Sequence, residues 1–430
     1  MRQRAKQIAD LPPVVISDNY VVNNILVKNS GIILSSGDTS LQMIIMESTY
    51  PVAQLVMPDL VTIVDIIKLI GNPNLTNIDL SLVTSIGGQV DISSNDVLNN
   101  VDLSSLTSTS AYFLSNSNAL LTTVNLSSLT STVSIFQITT NPVLTTLNLS
   151  SLTTVGEGFS LSSLDSLLTI DLSTVTTISG TFYIAANSAL TTLDLSSLTT
   201  CGNGFQISGH TSLTILDLSS FTSVGDSLDI SNTAALATLD LSTLSSIGNG
   251  FSISNNTALT ALDLTSITTA FDSFNLSSNP SLPTLDLSAI TTAGNSFNVN
   301  NNTSLTSLLL TSLTTVGNSF SINYNSSLTT VDISFLTTVG NDLNIALNTV
   351  LPTLDLSALT TVGNSFSINY NSSLTTVDIS FLTTVGTNFQ IVNNASLTSI
   401  ILSSSSPGFG GLDINFSANA LEQTGSGSVD

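Results

Sequence analysis

Aspartates return along this 430-residue chain at a spacing of 23: Asp79, Asp102, Asp171, Asp194, Asp217, Asp240, Asp263, Asp286, Asp332, Asp355 and Asp378 share one register. If the interval is one structural turn, these carboxylates become neighbours about 4.8 Å apart on stacked strands. Like charges that close repel, which is expected to raise their pKa values or to recruit a hard cation, and oxygen ligands favour Ca²⁺. Asp171, Asp194, Asp217, Asp240, Asp263 and Asp286 form the longest unbroken run and are the candidate calcium ladder. Two carboxylates roughly 5 Å apart also suit a retaining glycoside hydrolase. A catalytic pair, however, needs one member made different by burial or by a neighbouring charge. Here the pairs share one sequence context, and Asp226 and Asp229, near Asp217, are the only local acidic cluster. The plainer reading is that exposed Asp keeps a sheet face soluble and blocks sideways association of sheets.

Other chemistry is scarce. There is one His (His210), one Cys (Cys201) and no Trp, which excludes a zinc cluster, a disulfide framework and any site built from several histidines. Cys201 stands where Val or Ile recurs and reads as a small core residue, and His210 falls on a column of Asn. Tyr324 and Tyr370, both in turns, are the candidate surface for stacking on sugars. No enzyme activity and no resident cofactor are expected, with Ca²⁺ the one candidate ion.

Charge sorts the chain in two. All five basic residues (Arg2, Arg4, Lys6, Lys28, Lys68) lie in the first 68 positions beside six acids, so the other 22 acidic residues are uncompensated. A body without Lys or Arg does not neutralise phosphates, so nucleic acid is not an expected partner. Membrane insertion is not expected either: no stretch approaches 18 uninterrupted apolar residues, and neither a signal-peptide core nor a hydrophobic tail is visible.

The elements that must position these residues follow from the same period. With the Asp position as zero, apolar residues recur at -1, +1, +4, +7, +11, +13 and +19 through sixteen units from Val56 to Ile401. LTTLDLSSL (Leu190 to Leu198) alternates with period 2, as does Phe251, Ser252, Ile253, so each unit holds two short strands. Gly follows at +8 in ten units, Phe occupies +11 in eleven and Asn +16 in twelve. A 23-residue unit cannot bury its own apolar face, but stacking on neighbours does so. The fold is therefore expected to be all-β: a parallel β-solenoid of about sixteen coils, on the order of 77 Å long. The Phe column is expected inside, and the Asn column is expected to satisfy backbone groups of a tight turn. Helical repeats are excluded because Thr, Ser and Asn stand where helix formers would be needed.

LTTLDLSSL resembles the first half of a leucine-rich repeat, and FSISNN (Phe251 to Asn256) followed by Leu259 resembles a second strand ending in an Asn ladder. With VGNSF between them, the pattern is similar to receptor L-domain repeats of fungal cell-wall proteins and to bacterial surface leucine-rich proteins, over about residues 52 to 403. That resemblance implies a role in adhesion, reception or wall structure. The chain departs from the fungal family in showing neither a secretory signal nor a GPI tail.

Residues 313 to 340 and 359 to 386 are identical over 28 positions, an offset of two coils, which suits a spacer or a variable surface more than an active site. Residues 1–30 read as an N-terminal attachment segment, in which Arg4 to Ile8 resembles the start of some phage tail-fibre proteins. Residues 31–416 read as the solenoid, regular from about 52 and ending in a degraded cap at 403–416, where Leu412 and Ile414 take phases +11 and +13. Residues 417–430 read as a flexible tail. These features lead to a non-catalytic virion fibre or appendage subunit, a candidate homo-oligomer held in a virion or surface assembly through its head and presenting an acidic rod to a host receptor or glycan. The alternatives are an extracellular or cell-surface adhesin, a polysaccharide-cleaving solenoid enzyme, and an ice-binding protein built on exposed Thr and Ser columns.

Overall fold

A computed structural model describes residues 21–22, 25–28, 31–34, 39–41, 43–47, 52–268, 272–402, 413–417 and 419–420. The resemblance drawn on Arg4 to Ile8 lies outside the described residues. Among these residues there is no helix, and parallel strands stack coil on coil. Every parallel pairing from Ile44 to Leu402 joins residues 23 apart, as in Leu193 with Leu216 or Phe274 with Phe297. The chain divides into two compact units, residues 1–221 and 222–430.

Coils whose residues are all described carry three strands rather than two. The leading strand holds the Asp (Thr192–Asp194), the closing strand holds the Phe (Phe205–Ser208), and a two-residue bridging strand (Thr200–Cys201) lies between them. The bridging strand pairs with its own column, Thr177 with Thr200 and Ile178 with Cys201. Two residues are too short for alternation to register in a sequence, so this segment reads there as a turn.

In the first unit Phe113, Phe136, Phe159, Phe182 and Phe205 stack with ring centroids 4.9 to 5.5 Å apart and planes within 13°. In the second unit Phe251, Phe274, Phe297 and Phe320 do the same at 4.7 to 5.5 Å, and Phe366 stacks on Phe389 at 4.8 Å. All of these rings are buried. Each contributes apolar burial and an offset-stacking term of about 0.5–1.5 kcal/mol.

The Asn column fixes the turn that follows. Asn302 accepts the backbone N–H of Asn279 at Oδ1 (3.0 Å) and donates from Nδ2 to the carbonyl of Leu276 (3.1 Å), so one side chain serves two backbone groups of the preceding coil. The pattern repeats at Asn95, Asn118, Asn279, Asn325, Asn348 and Asn371, all fully buried. Glycine at +8 has a different cause from the turn chemistry its sequence context suggests. A Cβ on Gly340 would lie 2.0 Å from the Gly317 carbonyl oxygen, so the column is held by close approach of backbones rather than by an unusual φ.

Both ends depart from the regular interval. Val21–Val22, Ile25–Lys28 and Gly31–Leu34 pair antiparallel, and Ile32 then pairs in parallel with Leu55, so the sheet begins within the segment assigned to attachment. At the other end Ile414 pairs with Phe389 and so occupies +11 rather than +13. The last coil holds two extra residues, which corrects the phase expected for Ile414; Leu412 lies outside the described residues. Asn419 closes the Asn column by accepting from the Asn394 N–H at 3.0 Å, beyond the residue-417 start expected for the tail.

Two substitutions test the column. Asn302→Leu strands two buried backbone groups at about 1–3 kcal/mol each and is expected to lower the urea midpoint. Leu164, which stands where Asn recurs, supplies neither bond, so Leu164→Asn is expected to raise it. Equal midpoints for both variants would show that the column adds nothing to stability.

Candidate functional site

The aspartates face outward from the leading strands, half-buried or exposed. All eleven do the same work: Oδ1 accepts the backbone N–H two residues on, at 2.8 to 3.3 Å, as Asp194 does from Ser196 and Asp240 from Ser242. Asn125 and Asn148 take the position in two coils and accept the same bond at 3.2 Å. An uncharged side chain therefore serves equally well, and the column is explained by the turn it closes. The expected upward pKa shift is reversed at Asp240, where hydrogen bonds from the Ser242 hydroxyl and N–H hold the carboxyl below its usual range. A depression of about 380 Å³ runs over Asp240, Asp263 and Asp286. Among the described residues no group of three or more His, Cys, Asp or Glu side chains is placed to hold a metal ion.

Asp229 lies on the strand Leu228–Ser231, where burial pushes its carboxyl up against the opposing bond from Ser231, while Asp226 accepts from Asn249 Nδ2 at 2.5 Å. Cys201 is buried, its thiol pushed up by desolvation and facing the carbonyls of Gly180 and Gly204. Exposed Thr hydroxyls donate to the backbone carbonyl of the coil before, as Thr130 does to Thr107 and Thr337 to Thr314, so the Thr columns brace the stack.

His210 takes the place of an Asn in the ladder. Its Nδ1 faces the Asn187 carbonyl at 3.2 Å and the Asn187 N–H at 3.3 Å, and its Nε2 faces the Ile184 carbonyl at 3.0 Å, so both ring nitrogens are engaged by the backbone of the preceding coil.

The feature that breaks the pattern is at +15. In every coil with a described residue there, the backbone is left-handed, with φ between 52° and 73°. Most coils put Gly, Asn, Ser, Thr or Ala at this position, residues that are small or suited to it. Three consecutive coils instead carry Tyr324, Leu347 and Tyr370, at φ 58°, 58° and 59°. Bulky residues held there cost on the order of 1–3 kcal/mol each. Both tyrosines are exposed, at 58% and 53%, and they flank an open groove of about 580 Å³. Its floor includes Leu347, Ala346 and Asn344, with Asp342 just before the closing strand. The structure thus brings Tyr324 and Tyr370 into one site. Leu347, Asn344 and Asp342 were missed in the sequence, although aligning the coils at +15 displays the Tyr, Leu, Tyr run directly.

No protein-family model matches the chain, and no curated protein does. Among solved structures, the functional domain of InlJ from Listeria monocytogenes, which includes a cysteine ladder, is 20% identical, with a TM-score of 0.26 over 75% of this chain and 58% of that one. This chain therefore spans little more than half of the InlJ domain. A leucine-rich cell surface protein from Faecalibacterium prausnitzii A2-165 is 14% identical over 92% of this chain and 96% of that one, with a TM-score of 0.24. A TLR13–ssRNA13 complex gives 13% identity over 86% and 79%, with a TM-score of 0.21. By its own coils, this chain is a parallel β-solenoid with a 23-residue repeat.

Burial pulls the His210 pKa below 6.5, and the bonds to the Asn187 and Ile184 backbone oppose it. Above about pH 6.5 the ring is neutral in folded and unfolded chains alike. Below it the unfolded chain takes up a proton that the folded chain binds less readily, so stability falls as pH drops from there toward the lower folded pKa. His210→Asn is expected to flatten the pH dependence of the urea midpoint between about 5 and 6.5, and an unchanged slope would contradict the assignment.

Proposed function

We propose that this chain is a non-catalytic recognition protein of the cell-surface adhesin type, displayed outside the cell and binding through the Tyr324 to Tyr370 groove. The observation that carries the proposal is the run of Tyr, Leu and Tyr at a left-handed turn position where the other described coils carry small residues or Asn, because large side chains gathered in one patch of an otherwise uniform repeat, two of them exposed aromatics, mark a surface selected for contact. The candidate catalytic groups support it. Every Asp of the column performs the same turn-closing duty, His210 is spent on backbone bonds, and Cys201 is buried. An acidic body without Lys or Arg beyond Lys68 also offers no cleavage site to trypsin-like proteases, which suits exposure to an extracellular medium.

The virion-fibre expectation drew on Arg4 to Ile8, outside the described residues, and on the absence of a visible export signal; neither bears on the groove. Antibody labelling of intact, unpermeabilised source cells tests the proposal, alongside fractionation of virus particles from the same culture. Label on intact cells and none with particles is expected. Label seen only after permeabilisation would sink the proposal, and label confined to particles would replace it with the fibre reading.

A further inference from the structure

We infer that the groove between Tyr324 and Tyr370 binds a neutral linear polysaccharide, in a stretch whose repeat matches two coils of the solenoid. The inference deepens the recognition role proposed above and rests on it.

The two walls are copies. Residues 313–340 and 359–386 are identical, so Tyr324 and Tyr370 stand in the same local context two coils apart, about 10 Å from the inter-strand spacing. Two identical platforms in translational register present the same face twice to a ligand that itself repeats by translation. A globular partner has no such repeat, whereas a homopolymer does. Each exposed phenol ring offers the flat apolar face on which a pyranose ring stacks, with a hydroxyl able to bond at its edge.

The floor between the walls selects for hydroxyl groups. Among the described residues the side-chain amide of Asn344 has no hydrogen-bond partner, so its oxygen and nitrogen are both open to a ligand. Asp342 uses only Oδ1, which accepts from Asn364 Nδ2 at 2.8 Å and from the Ser365 N–H at 3.1 Å, and this leaves Oδ2 as an acceptor. Leu347 supplies an apolar step between the two platforms.

Other ligand classes fit less well. Anionic polymers meet the Asp342 carboxylate in a body with no Lys or Arg to answer their charge. An extended peptide gains most of its affinity by adding a strand to a free edge. The closing strand under the groove, Leu343–Ala346, has no free edge, being paired on one side with Phe320–Asn323 and on the other with Phe366–Asn369.

The test is titration of the intact chain with cello-, chito-, laminari-, malto- and mannotetraose, with tetragalacturonate as the anionic control. Tyrosine emission provides the readout, which is clean because the chain has six Tyr and no Trp. Saturable binding of at least one neutral tetrasaccharide is expected, tighter than that of its disaccharide and with no binding of tetragalacturonate. Tyr324→Asn and Tyr370→Asn place a residue suited to the left-handed backbone. Each is expected to weaken binding about tenfold while unfolding at an equal or higher urea midpoint, and the Phe variants should stay within about threefold. No binding to any of the five neutral probes, or equal binding by the Asn variants, overturns the inference. If cells still carry the protein on their surface in that case, the adhesin proposal stands and only the ligand class has failed.

Discussion

Everything in either unit depends on one constraint: a backbone group that faces the interior at a coil's sharp turn must find its partner in the next coil. The Asn column meets it with one side chain that both accepts and donates, as Asn302 does toward Asn279 and Leu276. Because an unmade buried bond costs more than a made one gains, the column rejects slippage more strongly than it rewards stacking. A shift by a single residue would turn every Leu and Phe outward and leave each turn unsatisfied at once. The 23-residue interval thus survives duplication of whole coils, and an insertion inside one is carried only where the chain still returns to the column. The last coil fits this logic, since it takes in two extra residues and still returns Asn419 to the column.

Fixing the interior in this way frees the outside to vary. At position zero Asp and Asn exchange because only an acceptor is needed, and at +15 the left-handed turn is formed whatever residue occupies it. The scaffold holds that geometry through backbone bonds such as Tyr324 N–H to the Ala346 carbonyl, at 3.0 Å, so a strained Tyr is carried by neighbours that gain nothing from it. Recognition can then be written on a few turn positions without disturbing the core. The cost is local strain, the usual exchange between stability and function.

Much of this was legible in the sequence, because a ladder of identical side chains leaves an identical column in the text. The Leu, Phe and Asn positions could be read as interior from periodicity alone. What escaped were features without a period signature. The bridging strand is two residues long, the glycine column is set by a carbonyl of another coil, and the duty of the aspartates lies in an N–H that no side-chain pattern reveals. The groove was half visible: Tyr324 and Tyr370 stood out as rare aromatics, whereas Leu347 looked ordinary until its backbone conformation was known.

The central claim is that coils are interchangeable layers locked in register, and paired internal deletions test it most directly. Removing residues 287–309 takes out one whole coil, and removing 287–308 leaves one residue over. The account requires the first variant to keep the β-type circular dichroism and slow amide exchange of the parent, and the second to lose both around the junction. Equal protection in the two variants would show that the layers are not held by register, and would contradict it.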